Sequence, residues 1–174
     1  MLISPKHAIE QGWIVLPEGV NLEKTIQPNA IDFTLDRMFR VKASGANFAR
    51  TTESVRSFPE YEEVVGSDGW TIDPLAMVDC MSNFTVNIPE GVAAQLVVRS
   101  SFGRAGIMLT SGIYDSGFTG FIGFTLFNRS SRAVVTEPGT RVGQIMFMPS
   151  VSVGTYNGIY NNKTDFWGGK VNGQ

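Results

Sequence analysis

The chain has 174 residues, a formal net charge of −2 and no two adjacent Lys or Arg residues. That length fits one domain with a full core, and the charge pattern lacks the basic footprint that duplex nucleic acid demands. With one Cys (Cys80) and one His (His7), the sequence builds no intramolecular disulfide and no Cys/His zinc site, and a Ser-His-Asp triad would have to use His7.

Helix is predicted only in the first dozen residues. Ser4-Pro5 reads as an N-cap with Pro at the first helical position, and Ala8, Ile9 and Trp13 form a weak apolar face before Gly12 and Pro17 end it. From there the chain reads as strand. Residues 31–35, 38–42 and 84–88 alternate apolar with polar, and 94–98, 121–127, 133–135 and 142–148 are further strand candidates. Turn signals at Pro89-Glu90-Gly91, at residues 128–131 and at Pro138-Gly139-Thr140 separate them. Many short strands with Gly/Pro punctuation predict an all-β fold, a sandwich or jelly-roll-like barrel, with one short N-terminal helix.

Two segments read as loops. Residues 43–68 are polar and carry Glu60, Glu62 and Glu63. Residues 153–174 are rich in Gly, Asn and Lys yet keep Tyr156, Tyr160, Phe166 and Trp167. The expected organisation is a nucleotide-binding barrel over 1–152 and a C-terminal arm or lid over 153–174 that folds over a ligand or a neighbouring subunit. No signal peptide and no apolar run of spanning length is present, so a cytoplasmic protein without a membrane partner is expected.

The stretch that speaks most about chemistry is Arg99-Ser100-Ser101-Phe102-Gly103-Arg104, with Gly112-Ile113-Tyr114-Asp115-Ser116-Gly117-Phe118 after it. Arg99, Ser100, Ser101 and Arg104 offer a fork of donors to phosphate oxygens. Asp115 is a lone carboxylate, and Phe118 presents a ring that can cover a planar group. A phosphate clamp, a base and a stacking face together suggest a nucleotide.

These residues resemble the superfamily of trimeric dUTP diphosphatases and dCTP deaminases. Four blocks occur in order: 27–35 in its deaminase-type form, 99–107 again deaminase-like, 112–128 with the Ile-x-Asp-Ser-x-aromatic-x-Gly pattern of the diphosphatases, and 138–147. The resemblance implies a homotrimer of jelly-roll subunits, a distorted β-barrel of the dUTPase type with active sites at subunit interfaces. It implies that Ser100, Arg104 and Gln144 hold phosphate oxygens and that the turn around Thr110, Ser111 and Gly112 reads the pyrimidine edge. It also implies that Phe118 packs under the deoxyribose, that Asp115 is the catalytic or structural carboxylate, and that Phe166 and Trp167 cover the base.

The two activities need different groups. In the deaminases a Glu on the strand after the third block shuttles the proton from water to the departing ammonia, and here that position is Thr125. A threonine hydroxyl cannot take up and return a proton as a general acid/base near neutral pH, and residues 118–128 hold no acid. Hydrolysis of a triphosphate to the monophosphate and pyrophosphate needs a carboxylate to orient water. It also needs cationic and polar groups on the phosphates, for which Asp115, Ser100, Arg104, Arg141 and Gln144 are the candidates. Magnesium is the implied cofactor, held mainly by the triphosphate rather than by protein ligands. The spacing from Ile107 to Asp115 matches the diphosphatase form, whereas the tail lacks the Arg of the diphosphatase arm and resembles the deaminase lid as much. The expected function is hydrolysis of dUTP or a related pyrimidine deoxynucleoside triphosphate. The alternatives are dCTP deamination and a non-catalytic trimer of the same fold.

Several of these residues also have plain structural readings. Asp32, mid-strand, is expected to form a salt bridge, with an Arg of the second block as the candidate partner. Asp115 could cap a turn with Ser116, Phe118 could be core, and Arg141 and Gln144 could point to solvent. Phe124 and Phe127 read as core or threefold-axis packing, and Cys80 as a small buried hydrophobe.

Overall fold

Alternating burial organises the chain into facing sheets. The computed structural model describes residues 1–42, 61–66, 69–158 and 160–162. Its elements in chain order are helix α1 (Pro5–Glu10), β1 (Ile14–Val15), helix α2 (Leu22–Thr25), β2 (Ile31–Leu35), β3 (Arg37–Val41), β4 (Tyr61–Glu63), β5 (Trp70–Ile72), β6 (Met77–Asn87), β7 (Val92–Val98), helix α3 (Ser100–Arg104), β8 (Ile107–Thr110), β9 (Thr119–Asn128), β10 (Val134–Thr136) and β11 (Thr140–Pro149). The fold is all-β, as expected, with the jelly-roll character of two sheets closed over one core.

One sheet runs β4-β3-β6-β9-β8, with β1 also on β6; a second runs β2-β11-β7; β5 and β10 form a small ribbon. All pairings are antiparallel. The chain passes from one sheet to the other at Asp36, whose N–H donates to Met81 O at 2.9 Å. In β6 the register shifts between Met81 and Thr85, so one edge of the strand serves β3 before the irregularity and β1 after it. The two sheets meet through Phe33 and Phe124, ring centroids 5.0 Å apart, with Ile31, Ile122, Leu126, Ile145 and Phe147 buried around them.

β9 shows the logic most plainly. Ile122, Phe124, Leu126 and Asn128 point inward and are buried, while Phe121, Gly123, Thr125 and Phe127 lie on the outer face and are half-buried. Phe124 is therefore core, and Phe127 is not. On the outer face Met77 and Met108 flank Phe127 in register, and they are 54% and 50% exposed.

The structure extends the expected elements. The short N-terminal helix is present with Pro at its start, though Ser4 makes no side-chain capping bond. Two more helical turns occur. α2 is capped by Asn21, which accepts from Lys24 N, and α3 occupies the Arg-Ser-Ser stretch itself. Of the segment expected as a loop, the described part contains β4, paired with β3, where Tyr61 stands opposite Val41. Cys80 is buried, and burial holds its thiol well above its ordinary pKa, as an inert core residue should behave. No helix among the described residues is long and apolar enough to cross a membrane.

Candidate active site

Asp32 is fully buried within β2, where an unpaired carboxylate would be very costly. Its charge is met from two directions. Arg99 Nε lies 3.2 Å and Arg141 Nη1 3.1 Å from Oδ2, while Gln144 Nε2 donates to Oδ1 at 2.8 Å. Gln144 is directly opposite Asp32 in the β2–β11 register, and the irregularity between Arg141 and Gly143 brings Arg141 alongside. Arg99 also donates to Arg141 O at 3.2 Å. The expected salt bridge to the second block thus exists, and it extends to the fourth. The solvent-facing reading of Arg141 and Gln144 is corrected: both turn toward Asp32. The two guanidinium side chains keep 29% and 32% of their surface exposed, so each retains free donors.

Directly after Arg99 the chain enters α3. Ser100, Ser101 and Arg104 are exposed on it, and Phe102 packs against the core to hold the turn in place. The chain turns just beyond the helix at Gly106, with φ +92°, where a Cβ would come within 2.8 Å of Ser130 Cβ. Only glycine fits that turn into β8.

A second cluster surrounds a cavity of about 270 Å³. Gly112, Tyr114, Asp115 and Phe118 form one side of it, and Gly123, Met81 and Phe121 another. Phe118 N–H donates to Asp115 O at 3.0 Å, which closes a turn, while the Asp115 side chain is exposed and makes no hydrogen bond or ion pair to another described residue. Ser116 is buried, its hydroxyl donating to Val92 O at 2.7 Å. Asp115 therefore closes the turn with its main chain and leaves its carboxylate at the cavity. Phe118 is half-buried, edge-on to Tyr114 at 5.1 Å and to Tyr156 at 5.5 Å.

The first part of the C-terminal segment folds over this rim. Tyr156 N–H donates to Ser116 O at 2.7 Å, and Asn161 accepts from Thr119 N at 2.7 Å while donating to Gly117 O at 3.3 Å. Tyr156 and Tyr160 line the cavity as a result. Phe166 and Trp167, expected as the lid over the base, lie outside the described residues. Of the trio expected at the base edge, Gly112 lines the cavity, while Thr110, the last residue of β8, and Ser111 after it are exposed on the way to it. None of the phosphate candidates Arg99, Ser100, Ser101, Arg104, Arg141 and Gln144 lines it. Among the described residues of one chain, the phosphate candidates and the cavity lining stay apart.

Sequence reasoning missed the partner of Thr125. Thr125, at the place of the deaminase Glu, donates to Asp79 Oδ1 at 2.6 Å. Asp79 lies 46 positions earlier in the chain, on the neighbouring strand, directly opposite Thr125, and is 9% exposed. Tyr61 also hydrogen-bonds Asp79, and burial together with that negative charge pushes the phenol well above its ordinary pKa, keeping it a donor. The one available signal was an acid set mid-strand in an apolar run, Met77-Val78-Asp79-Cys80-Met81. Among the described residues no three His, Cys, Asp or Glu side chains converge on a metal position.

A family model for dCTP deaminase-like proteins matches residues 5–150. The chain belongs to that family. Relatives of this dCTP deaminase-like chain carry both activities in their names. A probable deoxyuridine 5'-triphosphate nucleotidohydrolase from Methanosarcina barkeri is 29% identical over 153 residues, covering 86% of this chain and 88% of that one. A dUMP-forming dCTP deaminase from Beutenbergia cavernae is 32% identical over 127 residues, covering 70% of this chain and 65% of that one, so the present chain spans less than two thirds of its length. Among solved structures, the 2'-deoxycytidine 5'-triphosphate deaminase from Agrobacterium tumefaciens aligns with TM-score 0.62 at 18% identity, over 83% of this chain and 46% of that one. At that identity the likeness concerns the fold.

Proposed function

We propose that this dCTP deaminase-like chain is a nucleotide hydrolase that converts dUTP, or a related pyrimidine deoxynucleoside triphosphate, to the monophosphate and pyrophosphate. The observation that carries the reading is the placement of Asp115. Its carboxylate is exposed, without a side-chain partner among the described residues, on a cavity that also presents Phe118. A carboxylate so placed can orient a water and take its proton as the water oxygen attacks the α-phosphorus. The bond from that phosphorus to the bridging oxygen then breaks, and pyrophosphate leaves. Ser100, Ser101 and Arg104, with the free faces of Arg99 and Arg141 and with Gln144, would hold the phosphates. Magnesium, carried on the phosphate oxygens, would neutralise part of their charge.

The clamp would come from a second copy of the chain. The cavity has no cation in its lining, and the clamp sits on α3 outside it. The row of exposed Met77 and Met108 around half-buried Phe127 gives the outer sheet face an apolar surface for self-association, which favours the homotrimer that the sequence blocks imply.

A second reading has its own observation. Asp79 supplies, from the neighbouring strand, an acid against Thr125, so deamination of dCTP is not removed by the missing Glu alone. Thr125 and Tyr61 both donate to Asp79, and Asp79 does not line the cavity, which favours hydrolysis. The deciding experiment offers the protein each deoxynucleoside triphosphate with magnesium and follows pyrophosphate and ammonia separately. Pyrophosphate from dUTP without ammonia from dCTP supports the hydrolase; ammonia from dCTP replaces it with the deaminase; neither product leaves a non-catalytic nucleotide-binding fold.

A further inference from the structure

β8 ends at Thr110, which stands opposite Thr125 on β9. Two more residues of pairing would set Gly112 opposite Gly123. Instead the chain leaves the sheet, and Tyr114 forms a bridge to Ala94 on β7, with both main-chain bonds at 2.9 Å. Gly112 and Gly123 both line the cavity, at the gap left where β8 stops pairing. Gly123 thus has no strand residue opposite it on the β8 side.

The side chain of Tyr114 turns back into that gap. Its hydroxyl donates to Gly123 O at 2.8 Å and accepts from Gly123 N at 2.9 Å. The ring is 7% exposed and packed in the core. Burial raises the phenol above its ordinary pKa, so the proton it donates stays on the oxygen.

A slot between two separated strands admits a flat ring. The N–H and C=O of a single strand residue project to the same side, and such a pair matches the edge of a heterocycle that carries a donor beside an acceptor. The 4-oxo pyrimidine edge presents an N–H and an oxygen; the 4-amino edge presents a ring nitrogen and an amine, with donor and acceptor exchanged. A fixed N–H/C=O pair therefore distinguishes the two. A pair already engaged by a hydroxyl does not.

We propose that Tyr114 determines base specificity in this cavity: its hydroxyl occupies the main-chain pair of Gly123 and leaves the site tolerant of both 4-oxo and 4-amino pyrimidines. The proposal rests on the nucleotide reading above. Ligand contacts then come from the Gly112 side of the slot, from Phe118 and from the phosphate clamp, none of which needs a particular group at position 4. Removing the hydroxyl with Tyr114→Phe returns the Gly123 pair to the slot and leaves room for a base oxygen or amine where the hydroxyl stood. Tyr114→Leu opens it further and removes the ring.

The test measures calorimetric affinities of the α,β-imido analogues of dUTP and dCTP for the unaltered protein and for both variants, with thermal melting to verify folding. The expected result is affinities within about tenfold of each other for the unaltered protein. In Tyr114→Phe, or in Tyr114→Leu if the first melts early, their ratio should widen by at least about tenfold, the discrimination typical of a good two-bond base contact. An unchanged ratio in a folded variant, or strong discrimination by the unaltered protein, overturns the role of Tyr114 and leaves the hydrolase reading standing. Failure of all three proteins to bind either analogue overturns both.

Discussion

Arg99 Nε lies 3.2 Å from the buried carboxylate of Asp32, so the residue that introduces α3 is anchored to β2. The exposed donors of the following turn are aimed from a fixed point rather than from a free loop. The same carboxylate holds Arg141 and Gln144, which ties three candidate phosphate ligands to one buried charge.

Replacing that charge should be expensive. Asp32→Ala leaves two partly buried guanidinium groups and the Gln144 amide without their partner, and loss of one member of a buried ion pair costs about 3–5 kcal/mol. Urea denaturation should show a loss near the lower end of that range, because both arginines keep nearly a third of their side-chain surface in solvent. A loss under about 1 kcal/mol would mean that the cluster contributes little to the fold.

Asp115→Asn should abolish pyrophosphate release from dUTP and leave nucleotide affinity largely intact. The amide keeps the size of the side chain but cannot take a proton from water. Turnover should fall by at least about 10²-fold with little change in KM. Steady-state assays with magnesium check it, and equal activity in the variant would assign Asp115 to the turn alone.

Ammonia release from dCTP should be negligible in the unaltered protein, since the hydroxyl of Thr125 is engaged by Asp79. Asp79→Asn should therefore leave the pyrophosphate assay close to the starting protein in kcat. Robust ammonia formation that Asp79→Asn removes would instead make Asp79 the acid of a deaminase.

Met108→Glu should weaken self-association. Met108 is half exposed and stands beside Phe127 on the outer sheet face, so a charge there would be buried by a second copy. Light scattering is expected to give three times the 19.0 kDa chain mass for the starting protein and a lower mass for the variant. A stable 19.0 kDa species before any substitution would defeat the shared-site arrangement.

Gly143→Ala should destabilise the fold by about 1–3 kcal/mol, the usual cost of overfilling a packed core. A Cβ at Gly143 would overlap the buried ring of Phe33. Combining it with Phe33→Leu should recover part of the loss, which a double-mutant cycle by denaturation measures.

How legible each part was follows from length and locality. β9 and β11 announce themselves, because both are long apolar-rich runs, with burial alternating throughout β9 and from Gly143 onward in β11. α3 does not, since five residues with a glycine carry no helical period, and the packing of Phe102 holds the turn. β4 was hidden because Tyr-Glu-Glu is polar and becomes a strand only by pairing with β3. Asp115 and Phe118 were readable from neighbours in sequence. Asp79 and Tyr114 were not, because their partners are chosen by register: Thr125 across a strand pair, and Gly123 across the gap where β8 stops. The Asp32 bridge was foreseen as a type, but its reach to Gln144 depends on the β2–β11 pairing.

The Asp32 cluster also sets a constraint on the order of folding. Its carboxylate meets Arg141 and Gln144 across 109 and 112 positions of chain. Contacts that distant form late, after the entropy of closing the intervening loop has been overcome. During synthesis β2 emerges long before β11, its partner in the second sheet, so until the last quarter of the chain is made Asp32 lacks two of its three donors and the edge of β2 stands open. Burial of that aspartate is therefore a closing step, one that a nascent or truncated chain ending before Thr140 cannot take.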